Sequence, residues 1–136
     1  MKISIPEDGD DIVSQSVLNR EALASRAGVQ HILLAWKELV DVYGTRMDPR
    51  AAKRSFSEAR AEVRAIVEEL EANHGDWKRL LQKHSEDPIA AGGKMYDVFP
   101  KARLSRPFKE FSLRLEVNEV AVINTRFGFH IIRRME

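Results

Sequence analysis

The segment from Ser55 to Leu70 constrains this chain more than any other, because it spells one long amphipathic helix with its start marked. Ser55 and Glu58 have the spacing of a capping box, in which each side chain satisfies a backbone donor of the other. Phe56, Ala59, Val63, Ile66, Val67 and Leu70 then recur at helical spacing, with Arg and Glu filling the opposite face. Asn73 to Gly75 closes the helix with residues that tolerate left-handed backbone. Asp76 is placed to cap a second, shorter helix through about His84, with Trp77, Leu80 and Leu81 inward.

Around this pair the apolar runs are short. Val29 to Trp36 has the length of a strand, although its leucines leave a helix open. A long connection from Lys37 to Ser55 follows, with turn signals at Tyr43-Gly44 and Asp48-Pro49 and room for some helix. Ser85-Glu86-Asp87-Pro88 breaks the second helix, Gly92-Gly93 marks a turn, and Met95 to Phe99 makes a short strand. Pro107 opens a third helix with Phe108, Phe111 and Leu115 as its stripe. Val120 to Asn124 and Phe129 to Arg133 are two strands joined at Arg126-Phe127-Gly128, a hairpin. Helices segregated around a small antiparallel sheet make an α+β domain. Residues 1–27 read differently: Glu7, Asp8, Asp10 and Asp11 around Gly9 make an acidic, mobile lead-in, and Asn19 is placed to cap a short helix through Arg26.

Composition excludes several function classes. At 136 residues, 43% hydrophobic and 32% charged, the chain can fill one core and keep a solvated surface. With 22 basic and 21 acidic residues the net charge is +1, so no global field recruits nucleic acid or an anionic membrane. There is no cysteine, hence no disulfide, thiolate nucleophile or thiolate metal site. No apolar run approaches the roughly 20 residues of a membrane span, and the start is unlike a signal peptide. The expectation is a cytoplasmic monomer. His74 and His84 lack a companion carboxylate at zinc spacing, and no Gly-rich phosphate loop or nucleophile elbow occurs.

Four pieces, in order, resemble the parvulin family of peptidyl-prolyl cis-trans isomerases. Gln30-His31-Ile32-Leu33 is similar to its first strand. Asp76-Trp77-Lys78-Arg79-Leu80 and His84-Ser85-Glu86-Asp87-Pro88 are similar to its second helix and the loop after it. Pro107-Phe108-Lys109-Glu110-Phe111 resembles its third helix. Asn124-Thr125-Arg126-Phe127-Gly128-Phe129-His130-Ile131-Ile132 resembles its terminal hairpin. The resemblance covers about residues 29–136, leaving 1–28 as an extension. It implies a four-stranded antiparallel sheet surrounded by three to four helices. It implies an enzyme that turns X-Pro peptide bonds in protein or peptide substrates, with no cofactor and no metal. The rival on the same fold is a non-catalytic peptide-binding or chaperone module.

The resemblance also assigns residues. His31 and His130 match paired histidines of adjacent central strands, and Thr125 a hydroxyl bonded to them. Asp87 matches a cysteine or aspartate beside the substrate amide; its plainer role is to shape the loop before Pro88. Leu104 and Phe108 match the apolar floor of the proline pocket, with Phe99 as a third wall and Phe127 flanking the substrate. One departure bears directly on the pocket. Where the family's Gly-Gly turn continues with an acidic residue, Leu and Gly, this chain has Lys94-Met95-Tyr96. Tyr96 cannot easily hold a positive φ, so one wall of the pocket is expected to differ. Arg46, Arg50, Lys53 and Arg54 lie on the long loop, where one parvulin branch binds a phosphorylated residue before proline. They are either such a site or a solvated charged face.

Overall fold

The computed structural model describes residues 1–6 and 11–136. Most of the acidic lead-in, Glu7 to Asp10, therefore lies outside the described residues. The elements in chain order begin with β1 (Lys2–Ile3), α1 (Gln15–Leu18) and β2 (Ala27–Leu34). The long connection holds α2 (Val40–Tyr43) and α3 (Pro49–Ala52) with two 3₁₀ turns. Then come α4 (Phe56–Ala72), α5 (Trp77–His84), α6 (Pro88–Ala91), β3 (Tyr96–Val98), α7 (Arg106–Ser112), β4 (Glu119–Thr125) and β5 (Gly128–Arg134). Among the described residues no helix is long and apolar enough to cross a membrane.

The sheet has the order β1-β4-β5-β2-β3. β4, β5, β2 and β3 pair with one another antiparallel, as expected. The expected four-stranded sheet is corrected by one strand: β1 joins β4 in parallel, pairing Lys2 with Glu119 and Ile3 with Val120. Two residues are too few for any periodicity, so this strand leaves no mark in the sequence. Its role is to cover an edge. Farther along that edge Ser14 takes over: its N–H donates to the Val122 carbonyl at 2.8 Å, and its Oγ accepts the Val122 N–H at 2.9 Å.

The helix expected from Asn19 to Arg26 is also corrected. The helix runs Gln15–Leu18, and Asn19 is its C-terminal cap. Two long-range demands decide this. Val17 is fully buried, and Arg20 is drawn away to Glu119, whose carboxylate it grips with bonds of 2.7 and 2.9 Å. Glu119 itself is fully buried and also accepts from the Ser4 hydroxyl and the Glu116 N–H.

Alternation along the strands sorts the core onto two faces. Ile32, Leu34, Val120, Val122, Phe129 and Ile131 face α4 and α5, where they meet Val63, Ile66, Leu70, Trp77 and Leu80. Val29, Ala121, Ile123 and Ile132 face the other way, onto Phe108 and Phe111 of α7. The capping box forms in both directions, Glu58 N–H to Ser55 Oγ at 3.1 Å and Ser55 N–H to Glu58 Oε1 at 3.2 Å. Phe56 departs from the expected stripe: it is exposed and lies edge-on to Trp36 at the rim. The β4–β5 hairpin needs its glycine. Gly128 has φ +132°, and a Cβ there would sit 2.4 Å from the Leu34 carbonyl oxygen.

Candidate active site

On the α7 side of the sheet, His31 pairs across β2 and β5 with Ile132, and His130 pairs with Leu33. That register sets the two histidines diagonally on one face, and both are buried. Their Nδ1 atoms are 3.1 Å apart. His31 Nε2 lies 2.9 Å from Asp87 Oδ2, and His130 Nε2 lies 2.7 Å from Thr125 Oγ1. Thr125 Oγ1 accepts the Phe127 N–H at 3.1 Å.

Counting donors orders this chain of bonds. An ionised carboxylate only accepts, so His31 Nε2 carries hydrogen toward Asp87. With His31 neutral, its Nδ1 accepts, and His130 Nδ1 must donate. His130 Nε2 then accepts the Thr125 hydroxyl hydrogen. Every bond points one way, from the Phe127 amide to Asp87. His130 suits the neutral form: burial, and then the nearby His31, hold its pKa well below the ordinary 6.5.

Asp87 does two jobs with two oxygens. Oδ1 caps α6, accepting the Ile89 N–H at 3.0 Å and the Ala90 N–H at 3.4 Å. Oδ2 receives His31 and also the Tyr96 hydroxyl at 2.6 Å. Burial alone pushes this carboxyl upward, but the bonds from His31 and Tyr96 outweigh it and hold it well below the usual carboxylate range. The loop carrying Asp87 is pinned to the free edge of β2 beyond β3. Ser85 Oγ donates to the His31 carbonyl and accepts the Leu33 N–H, and the Glu86 N–H donates to the Leu33 carbonyl at 2.8 Å.

Above this floor opens a cleft of about 300 Å³. His31, Asp87 and His130 line its base, and Leu104, Phe108 and Phe127 line its sides. Six of the eight residues singled out from the sequence thus meet in one place. Thr125 stands behind His130 and lines an adjoining cleft. Phe99 is not part of the lining. Alternation explains the correction: Tyr96 and Val98 face inward from β3, while Asp97 and Phe99 face Arg26, which pairs with Asp97 and lies 5.5 Å over the Phe99 ring.

Sequence reasoning passed over other lining residues, among them Tyr43, Leu33 and above all Tyr96. Tyr96 was visible only as a departure. The positive φ in this turn falls at Gly93, +92°, so an aromatic fits at position 96 without strain. Its ring lies edge-on to His31 at 5.5 Å. Tyr43 donates to the Phe127 carbonyl at 2.5 Å and holds the hairpin tip against α2; burial, then Glu86 and Asp87, push its hydroxyl to about 12. Two of the four loop cations are engaged in structure. Arg50 binds Asp48 and the Lys83 carbonyl, and Arg54 is buried against Glu86, Glu62 and the Ala35 carbonyl.

These features define an α+β domain with a small apolar cleft set over a hydrogen-bonded histidine pair. The family model described as the PPIC-type PPIase domain matches residues 14–136, and the chain belongs to that family. It is 32% identical over 89 residues to peptidyl-prolyl cis-trans isomerase NIMA-interacting 1 of Theileria annulata, covering 62% of this chain and 63% of that protein. It is 27% identical over 78 residues to peptidyl-prolyl cis-trans isomerase Pin1 of Digitalis lanata, covering 57% of this chain and 66% of that one. The chain therefore spans just under two thirds of these relatives. In fold it is similar to the peptidyl-prolyl isomerase ESS1 from Candida albicans, with a TM-score of 0.66 at 20% identity over 86% of this chain and 66% of the other.

Proposed function

We propose that this domain is a peptidyl-prolyl cis-trans isomerase acting on X-Pro bonds of protein or peptide substrates. The carrying observation is the apolar cleft floored by His31, His130 and Asp87 and walled by Leu104 and Phe108. Rotation about an X-Pro bond breaks no covalent bond. Its barrier, about 18–20 kcal/mol, is amide resonance, and it is crossed in tens to hundreds of seconds without help. The catalyst must bind the twisted amide better than either planar form.

In this reading Leu104 and Phe108 hold the proline ring, and Phe127 closes the mouth. A twisted amide has lost resonance and with it part of the carbonyl's negative charge, so a water-poor apolar wall favours it over the planar form. Asp87, kept ionised by His31 and Tyr96, disfavours the planar carbonyl's partial negative charge in the same sense. The histidine pair and Thr125 form a rigid floor that holds Asp87 in place.

The test is isomerisation of short X-Pro peptides, coupled to a protease specific for the trans form. Clear acceleration is expected, with kcat/KM falling about ten-fold or more in Phe108→Ala and Asp87→Ala, a loss of about 1.4 kcal/mol or more of transition-state binding. A folded protein that accelerates none of the peptides but still binds unfolded protein would instead be a non-catalytic binding module.

A further inference from the structure

A second cleft adjoins the first and shares Arg103, Leu104, Ser105 and Phe127 with it. Its own lining adds Arg106 and Arg126, so three guanidinium groups and no carboxylate line it. For a chain with 22 basic and 21 acidic residues this is a local separation of charge. Arg106 is engaged by Glu110 at 2.7 Å. Among the described residues Arg103 and Arg126 have no acidic partner. Arg126 is held in place all the same, its guanidinium resting 4.7 Å from the centre of the Phe127 ring that both clefts share. The obvious rival cations, Arg50 and Arg54 of the long connection, are occupied by Asp48, Glu62 and Glu86.

We propose that the second cleft is a substrate subsite for an anionic side chain, a carboxylate or a phosphate, borne two residues from the proline, with Arg103 and Arg126 as its specificity determinants. The inference rests on the isomerase reading only in taking the first cleft as the seat of the proline. The residue before a proline is held to extended conformations. In an extended segment successive side chains point to opposite faces, so it is the residue two positions away that shares the proline's face. That residue reaches the adjoining cleft, whereas the immediate neighbour of the proline points away. A guanidinium presents paired donors that match a carboxylate or phosphate, which a lysine or an amide cannot reproduce.

The experiment uses peptides with Gln, Glu or phosphoserine placed one or two residues before or after a single proline. Turnover is followed by exchange NMR and binding by fluorescence anisotropy. At low salt, kcat/KM and affinity for Glu two residues from the proline are expected to exceed those for Gln by about 3- to 10-fold, as for exposed charge-assisted pairs. The ratio shrinks as salt screens the site. Phosphoserine exceeding Glu at that position would identify phosphate as the preferred anion, and parity or less would identify the carboxylate. Arg103→Glu/Arg126→Glu is expected to bring the Glu-to-Gln ratio below one, while Arg46→Glu/Lys53→Glu leaves it unchanged. Because the readout is a ratio, a common loss of activity cancels. A ratio of one in the wild type, a preference confined to the proline's immediate neighbour, or a preference that survives the double reversal overturns the subsite. Absent turnover with an intact binding ratio overturns the isomerase reading and leaves the subsite standing.

Discussion

The fold lowers the pKa of both His130 and Asp87, and the two act in different pH windows. Burial holds the His130 pKa well below 6.5. The unfolded chain therefore takes up a proton below about 6.5 that the folded chain refuses, and stability falls as pH drops from there toward the folded value. Denaturant midpoints measured from pH 7.5 to 5 are expected to fall, with a shallower slope in His130→Gln; part of the slope remains because burial also lowers His84. Asp87 has the same sign in a more acid window. Its folded pKa lies below that of the unfolded chain, so its contribution is present above the ordinary carboxylate range and is lost only at more acid pH. Tyr96→Phe keeps the ring but removes the 2.6 Å bond. The Asp87 carboxyl, followed by NMR of its carboxyl carbon, is then expected to titrate at higher pH than in the wild type. An unchanged titration would mean that His31 and the α6 amides set its ionisation without Tyr96. Asp87, His31 and His130 were legible in the sequence because their neighbours resemble a known pattern. Tyr96 was not, because the property that matters is where its hydroxyl arrives after β3 has paired with β2.

At the scale of elements, those with internal signals were legible and those made by distant contacts were not. The capping box at Ser55, the Pro at the start of α7 and the apolar alternation of β4 and β5 are local, and each element starts within a residue or two of where these marks place it, although α7 ends at Ser112, short of the Leu115 expected on its stripe. β1 and α1 carry no such marks. They exist because the outer edge of β4 has backbone groups to satisfy, and Ser4, Ser14 and the main chain between Met1 and Ser4 satisfy them. The same logic fixes the Asp87 loop on the free edge of β2, where Ser85 and Glu86 supply the bonds. Ser14→Ala tests the weight of such an element-fixing contact. It leaves the Val122 N–H buried without its acceptor, a cost of about 1–3 kcal/mol. Equilibrium unfolding is expected to show a loss of that size with the sheet otherwise intact. A loss near zero would show that the amide finds another acceptor and that Ser14 is not what holds the segment.

For the molecule as a whole, the question is how much chain the fold needs. The family resemblance in the sequence begins near residue 29, and the matching family model begins at residue 14. Physical bookkeeping favours the longer unit. Ile12 and Val17 are almost wholly buried, in the two different cores, and fully burying two such side chains is worth about 3–6 kcal/mol. Arg20 is the cation that balances the buried Glu119 carboxylate, and stripping a partner from a buried charge costs about 3–5 kcal/mol. Gly28 bonds to the chain's far end through Glu136 and Met135, so a cut there also loosens the last strand. Against a total stability of about 5–15 kcal/mol for a domain of this kind, these losses together leave little. A chain beginning at residue 29 is therefore expected to be largely unfolded at 25 °C by circular dichroism. Glu119→Gln within that truncated chain should recover part of the loss, because it removes the unpaired charge while leaving the apolar deficit. A truncated chain as stable as the full one would mean that the segment before β2 only decorates the domain. Partial rescue by the glutamine would separate the electrostatic share of the segment's work from the share carried by Ile12 and Val17.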